Sequence, residues 1–137
     1  MQKTDYPLWA KDTIRYGDTD RQGHVNNAVF STFLETGRVQ FLMNSGRPIR
    51  APGTNFVIAR LVLDFKAEML WPGDAEIGSR VKSVGKSSFT LEQIILQGDT
   101  VTAVAETVMV MVNEQTRKAQ ALPEASVAAL KALQVTA

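Results

Sequence analysis

The sequence predicts an α+β fold in which one antiparallel sheet packs against one long helix. Three observations carry that expectation. Phe30, Phe33, Leu34, Gly37, Phe41 and Leu42 recur at three- and four-residue steps, the period of a helix buried along one face. After residue 54 the pattern changes to strand-like stretches, two of them alternating apolar with polar residues. Short turns separate these stretches, and short turns join antiparallel neighbours.

The elements follow in order. Leu8 to Tyr16 reads as a first strand, because Trp9, Ile14 and Tyr16 favour a pleated surface. Gly17 to Val25 is a polar loop. A helix runs from Asn26, capped by Asn26 or Asn27, to the stop Asn44-Ser45-Gly46. Gly37 inside it costs about 1 kcal/mol against alanine, which implies close packing against another backbone. Residues 47–54 hold two prolines and a glycine and form a loop. Ala59, Leu61, Leu63 and Phe65 alternate with Arg60, Val62, Asp64 and Lys66 as a half-buried strand. Trp71-Pro72-Gly73-Asp74 turns the chain into a strand in which Ala75, Ile77, Ser79 and Val81 face one way. Residues 84–88 are a turn, Phe89 to Leu96 a strand, Gly98-Asp99 a turn, and Thr100 to Val112 the last strand. That strand is apolar on both faces in its second half, so it needs cover on its second side, and association of subunits supplies it. Pro123 stands at a first helical position, and Glu124 to Leu133 makes a short alanine-rich helix.

The bulk numbers set limits. A chain of 137 residues supports one core, so residues 1–137 read as a single domain. The net charge of +1 argues against dominant electrostatic capture of nucleic acid. There is no cysteine, which removes disulfides, thiolate nucleophiles and thiolate metal sites. A cytoplasmic location is compatible with that. Residues 1–7 carry an acid and no apolar run, unlike a signal peptide, and nothing approaches a membrane span.

The chemistry concentrates in Arg15-Tyr16-Gly17-Asp18-Thr19-Asp20-Arg21-Gln22-Gly23-His24-Val25-Asn26-Asn27, between a strand and a helix start. A helix start offers unpaired N–H groups and a partial positive charge. A carboxylate beside those donors has the parts for attack on a polarised carbonyl, and so for acyl transfer. The plainer role for Asp20 is a loop aspartate that bonds its own turn. Asp18 reads as structural, holding Arg15, Arg21 or loop N–H groups. His24, the only histidine, lacks the partners of a zinc set or a catalytic triad and reads as a residue that orders the turn or edges a pocket. Glu35 and Arg38 read as an i,i+3 ion pair.

Arg15-Tyr16-Gly17-Asp18-Thr19-Asp20, Gly23-His24-Val25-Asn26-Asn27 and Phe33-Leu34-Glu35 with Arg38 resemble the 4-hydroxybenzoyl-CoA thioesterase-like branch of the hotdog-fold acyl-CoA thioesterases. Trp71-Pro72-Gly73-Asp74 and Gly85-Lys86-Ser87-Ser88-Phe89 add to the match. The resemblance implies a sheet wrapped around a central helix, with a short C-terminal helix added here. It implies an acyl-CoA thioester as substrate, with coenzyme A as part of that substrate and no cofactor or metal. It makes Asp20 the catalytic carboxylate, as nucleophile or general base, and the N–H of Asn27 the group that polarises the thioester carbonyl. Gly23, His24 and Asn26 would border the substrate, and Lys86, Ser87 and Ser88 would meet the coenzyme A phosphates or pantetheine. Glu35 is a reserve carboxylate. A homodimer or homotetramer with its pocket across the interface is implied, and neither nucleic acid nor membrane as partner. The rival reading is a non-catalytic module that binds acyl-CoA or acyl carrier protein. A hotdog dehydratase is a third, for which only His24 speaks.

Overall fold

The computed structural model describes residues 3–135. Its elements are β1 (Leu8–Ile14), α1 (Asn27–Asn44), β2 (Thr54–Phe65), β3 (Gly73–Val84), β4 (Ser88–Gln97), β5 (Thr100–Asn113) and α2 (Glu124–Ala132). The expected order of strand, long helix, four strands and small helix is the observed one. The five strands form one antiparallel sheet in the order β1-β3-β4-β5-β2. α1 packs chiefly on β1, β3 and β4, and α2 packs on β3.

Burial follows the pleat. Ile77, Val81, Leu91, Ile95 and Ala103 point inward from three neighbouring strands and meet Phe33, Leu34 and Phe41 of the helix. Tyr6, Ile94 and Leu96 form a smaller cluster on the opposite face, with Trp9 laid over Gly78. No helix among the described residues is long and apolar enough to cross a membrane.

Four local expectations shift, each for a visible reason. β1 stops at Ile14 because Arg15 N–H donates to the Asp18 carboxylate (2.8 Å), closing a single 3₁₀ turn over Tyr16–Asp18. Pro123 is the residue before α2, extended at ψ 159°, and its carbonyl accepts from Val127 N–H (3.0 Å). Gly37 meets the side chains of Ile77 and Gln93, not a backbone. The largest shift is β2. It starts at Thr54, a bulge between Ile58 and Arg60 takes Ala59 out of the alternation, and most of the strand is exposed. β2 pairs only with β5 at the sheet edge and α1 packs chiefly on β1, β3 and β4, so within one chain β2 turns little more than Phe56, Leu63 and one edge of Phe65 toward the core.

Candidate active site

The loop before α1 is folded around Asp20. Its Oδ1 accepts the N–H of Gln22 (2.8 Å) and of His24 (3.2 Å). Its own N–H donates to the His24 carbonyl (2.8 Å), and Gly23 N–H donates back to its carbonyl (3.2 Å). Gly23 holds φ +80°, a left-handed conformation that suits glycine. Asp20 therefore does bond its own turn, but with one oxygen. None of these bonds uses Oδ2, and the residue is exposed.

Two main-chain bonds fix this loop in place. Val25 N–H donates to the Met69 carbonyl (2.8 Å) and Asn26 N–H to the Asp18 carbonyl (2.8 Å), while His24 pairs with Leu70 as an isolated bridge. Asn26, not Asn27, is the cap: its Oδ1 accepts Ala28 N–H (3.0 Å) and its carbonyl accepts Val29 N–H (2.9 Å). The N–H of Asn27, first in the helix, is used by neither bond. That is the kind of free donor a helix start presents.

Asp20, Gln22 and His24 line one wall of a cleft of about 410 Å³, with Asn27 and Phe30 of α1 beside them. The opposite wall is Phe65, the last residue of β2, and residues 66–69. Phe30 and Phe65 meet edge to face, centroids 5.2 Å apart. His24 Nε2 lies 3.4 Å from the Glu68 carboxylate, across the two walls. The Asp20 carboxylate residue, the first residue of the helix and an aromatic pair thus line one opening, the set needed for attack on an acyl carbonyl.

Of the residues singled out in the sequence, Asp20, His24 and Asn27 line the cleft. Gly23 and Asn26 shape it, as turn and cap. Lys86, Ser87 and Ser88 are not brought to it. They sit in the turn beyond β3 and at the first residue of β4, and the 12 residues of β3 span roughly 40 Å from the cleft end. Glu35 is exposed on α1 and is not among the lining residues. Nor does it pair with Arg38, for no ion pair within 4 Å joins them among the described residues. Arg38 is buried instead, only 7% exposed, and its Nη1 has no hydrogen-bond partner. Burial lowers the guanidinium's pKa from its ordinary value, against the pull of the Glu35 charge. The wall 65–69 went unseen in the sequence, since no periodicity there announces a site. Only the bridges to His24 and Val25 bring it in.

Known proteins share this chain's family and fold. A family model described as the thioesterase-like superfamily matches residues 14–130. The chain belongs to that superfamily. This thioesterase-like protein is 28% identical over 122 residues to the acyl-CoA thioester hydrolase YbgC of Escherichia coli O157:H7, covering 86% of this chain and 91% of that one. A thioesterase from Thermus thermophilus, solved with coenzyme A and zinc, superimposes with a TM-score of 0.84 at 27% identity, covering 97% and 98% of the two chains. A Pseudomonas aeruginosa PAO1 protein superimposes with a TM-score of 0.85 at 27% identity, covering 98% and 96%. The hotdog architecture expected from the resemblance is that of these neighbours. Zinc belongs to the Thermus structure. Among the described residues here, no three His, Asp or Glu side chains gather as metal ligands.

Proposed function

We propose that this thioester hydrolase cleaves an acyl-CoA to a carboxylic acid and free coenzyme A, with Asp20 as the catalytic carboxylate. The observation that carries the reading is the divided role of that carboxylate. Two loop N–H groups hold Oδ1, which fixes the side chain, while neither bond uses Oδ2, and Asp20 lines the same cleft as Asn27 at the helix start. As a base, Oδ2 takes a proton from water and the oxygen adds to the thioester carbon. As a nucleophile, Oδ2 adds itself, giving a mixed anhydride that water then opens. In both routes negative charge develops on the carbonyl oxygen, where the Asn27 N–H stabilises it. That charge collapses to break the C–S bond, in the nucleophile route before water opens the anhydride, and the thiolate ends with the proton that the water gives up.

The reading includes a homo-oligomer. β2 is an edge strand with Val57, Ile58, Leu61, Val62 and Phe65 exposed, an invitation to pair with a second copy. A two-fold axis makes that pairing antiparallel. Val57 pairs with Val110, which pairs with Ser88, so the Val57 end of β2 is also the Lys86 end of the sheet. An antiparallel pairing therefore sets that end of one subunit beside the Phe65 end, and the cleft, of the other. The partner's turn would then stand two or three strands away, roughly 15 Å, where its Lys86, Ser87 and Ser88 would meet the coenzyme A phosphates. We place the protein in the cytoplasm, with no nucleic acid or membrane partner and no cofactor or metal.

The test is thiol release from a panel of acyl-CoAs. The rival, a module that binds without cleaving, predicts a raised melting temperature with those ligands and no free thiol.

A further inference from the structure

We infer that the cleft takes a compact acyl group and that Phe65 sets the limit on its length; this rests on the hydrolase reading above. The apolar surface available to an acyl chain is small. It consists of Phe30, one turn into α1 from the Asn27 N–H, and Phe65, which meets it edge to face at 5.2 Å and an interplanar angle of 78°. Val25 and Met69 lie under them, 4% and 0% exposed, and close the floor from below. Behind that floor the core is closed: Ile14, Leu34, Ala75 and Ala103 are each at most 2% exposed, so no tunnel continues past the aromatic pair.

Apart from Ala67, the remaining lining is hydrophilic. Gln22 and His24 lie on one wall, Lys66 and Glu68 on the other. Each methylene laid on apolar surface gains about 0.8 kcal/mol, and methylenes laid over charged groups gain nothing comparable. A short acyl group is covered by the two rings, whereas a long one runs past them onto the charged rim. Phe65 is the adjustable element. Phe30 is only 3% exposed, while Phe65 is 49% exposed at the end of an edge strand, so its removal opens the cleft without emptying the core.

The experiment measures kcat/KM by thiol release for acetyl-, butyryl-, octanoyl- and palmitoyl-CoA with the full-length protein, Phe65→Ala and Phe65→Leu, melting temperatures being recorded for each. The wild type is expected to favour acetyl or butyryl over palmitoyl by about tenfold or more, and Phe65→Ala to raise the palmitoyl-to-butyryl ratio by about tenfold. Phe65→Leu, which keeps the bulk, leaves the ratio close to wild type. A wild-type optimum at palmitoyl, or an unchanged ratio in a folded Phe65→Ala protein, overturns the inference and leaves the hydrolase reading standing. No thiol release from any ester overturns both.

Discussion

Gln93, at the centre of β4, donates its side-chain amide to the main-chain carbonyl of Leu34 in the middle of α1 (3.1 Å). The same Nε2 reaches Ser79 Oγ on β3 (3.1 Å), so one buried amide ties the helix to two strands. This contact holds α1, and with it the helix start at Asn27, at a fixed height above the sheet.

Gly37 permits that approach. A Cβ there would lie 2.5 Å from Ile77 Cγ2 and 2.7 Å from Gln93 Nε2. Gly37→Ala would gain about 1 kcal/mol of helix propensity. The overlap costs about 1–3 kcal/mol, and it also pushes away the amide that bonds Leu34. The variant is expected to be less stable than wild type by about 1 kcal/mol or more in urea unfolding. A more stable variant would mean that the helix does not need this close contact.

Arg38 carries the opposite kind of tension. Its buried Nη1 has no partner, and Gln93 Oε1 and Thr107 Oγ1 are likewise buried and unpaired. Replacing a buried charge by an apolar side chain of similar length is often neutral or stabilising. Arg38→Met should therefore hold or raise the free energy of unfolding, by about 1 kcal/mol at most. A marked fall would place an acceptor on Nη1 in the assembled protein.

Tyr6 predicts a pH dependence. Burial pushes its phenol above the ordinary tyrosine pKa, with the Arg80 guanidinium over the ring pulling it down. The native state thus holds the phenolic proton more tightly than the unfolded chain. Its contribution is fully present below about pH 10 and is lost as pH rises through the folded-state value. Unfolding midpoints measured from pH 8 to 11 should fall less steeply for Tyr6→Phe than for wild type. Parallel curves would mean that Tyr6 titrates alike in both states.

The β2 edge gives a test of assembly. Val57 is exposed and stands far along the strand from the cleft. Val57→Asp is expected to shift the protein to monomer in sedimentation velocity and to cut thiol release with it, because the partner's turn is removed. A monomeric variant with full activity would mean that one chain holds the whole site.

The fold was largely legible because its signals are local. The three- and four-residue spacing from Phe30 to Leu42 and the alternation along Ala75–Val81 each report burial on one face, and both elements are where the pattern puts them. The Asp20 loop was legible because a carboxylate, a glycine and a capping asparagine serve one short turn. Alternation misled at β2, since it reports a strand with two unlike faces and not whether anything covers it. The Glu35–Arg38 spacing misled too, because the residues that bury Arg38 come from elsewhere in the chain. The second wall, Phe65 to Met69, was invisible for the same reason.

The measurement that bears most directly on the central claim is acyl-CoA turnover by Asp20→Asn, followed as thiol release beside the melting temperature and coenzyme A binding. The amide oxygen can still accept from Gln22 and His24, so the loop, the melting temperature and ligand binding should hold. Turnover should fall by about a thousandfold or more, as the group that takes the proton or attacks the carbon is gone. An Asp20→Asn protein that releases thiol at the wild-type rate would contradict the account.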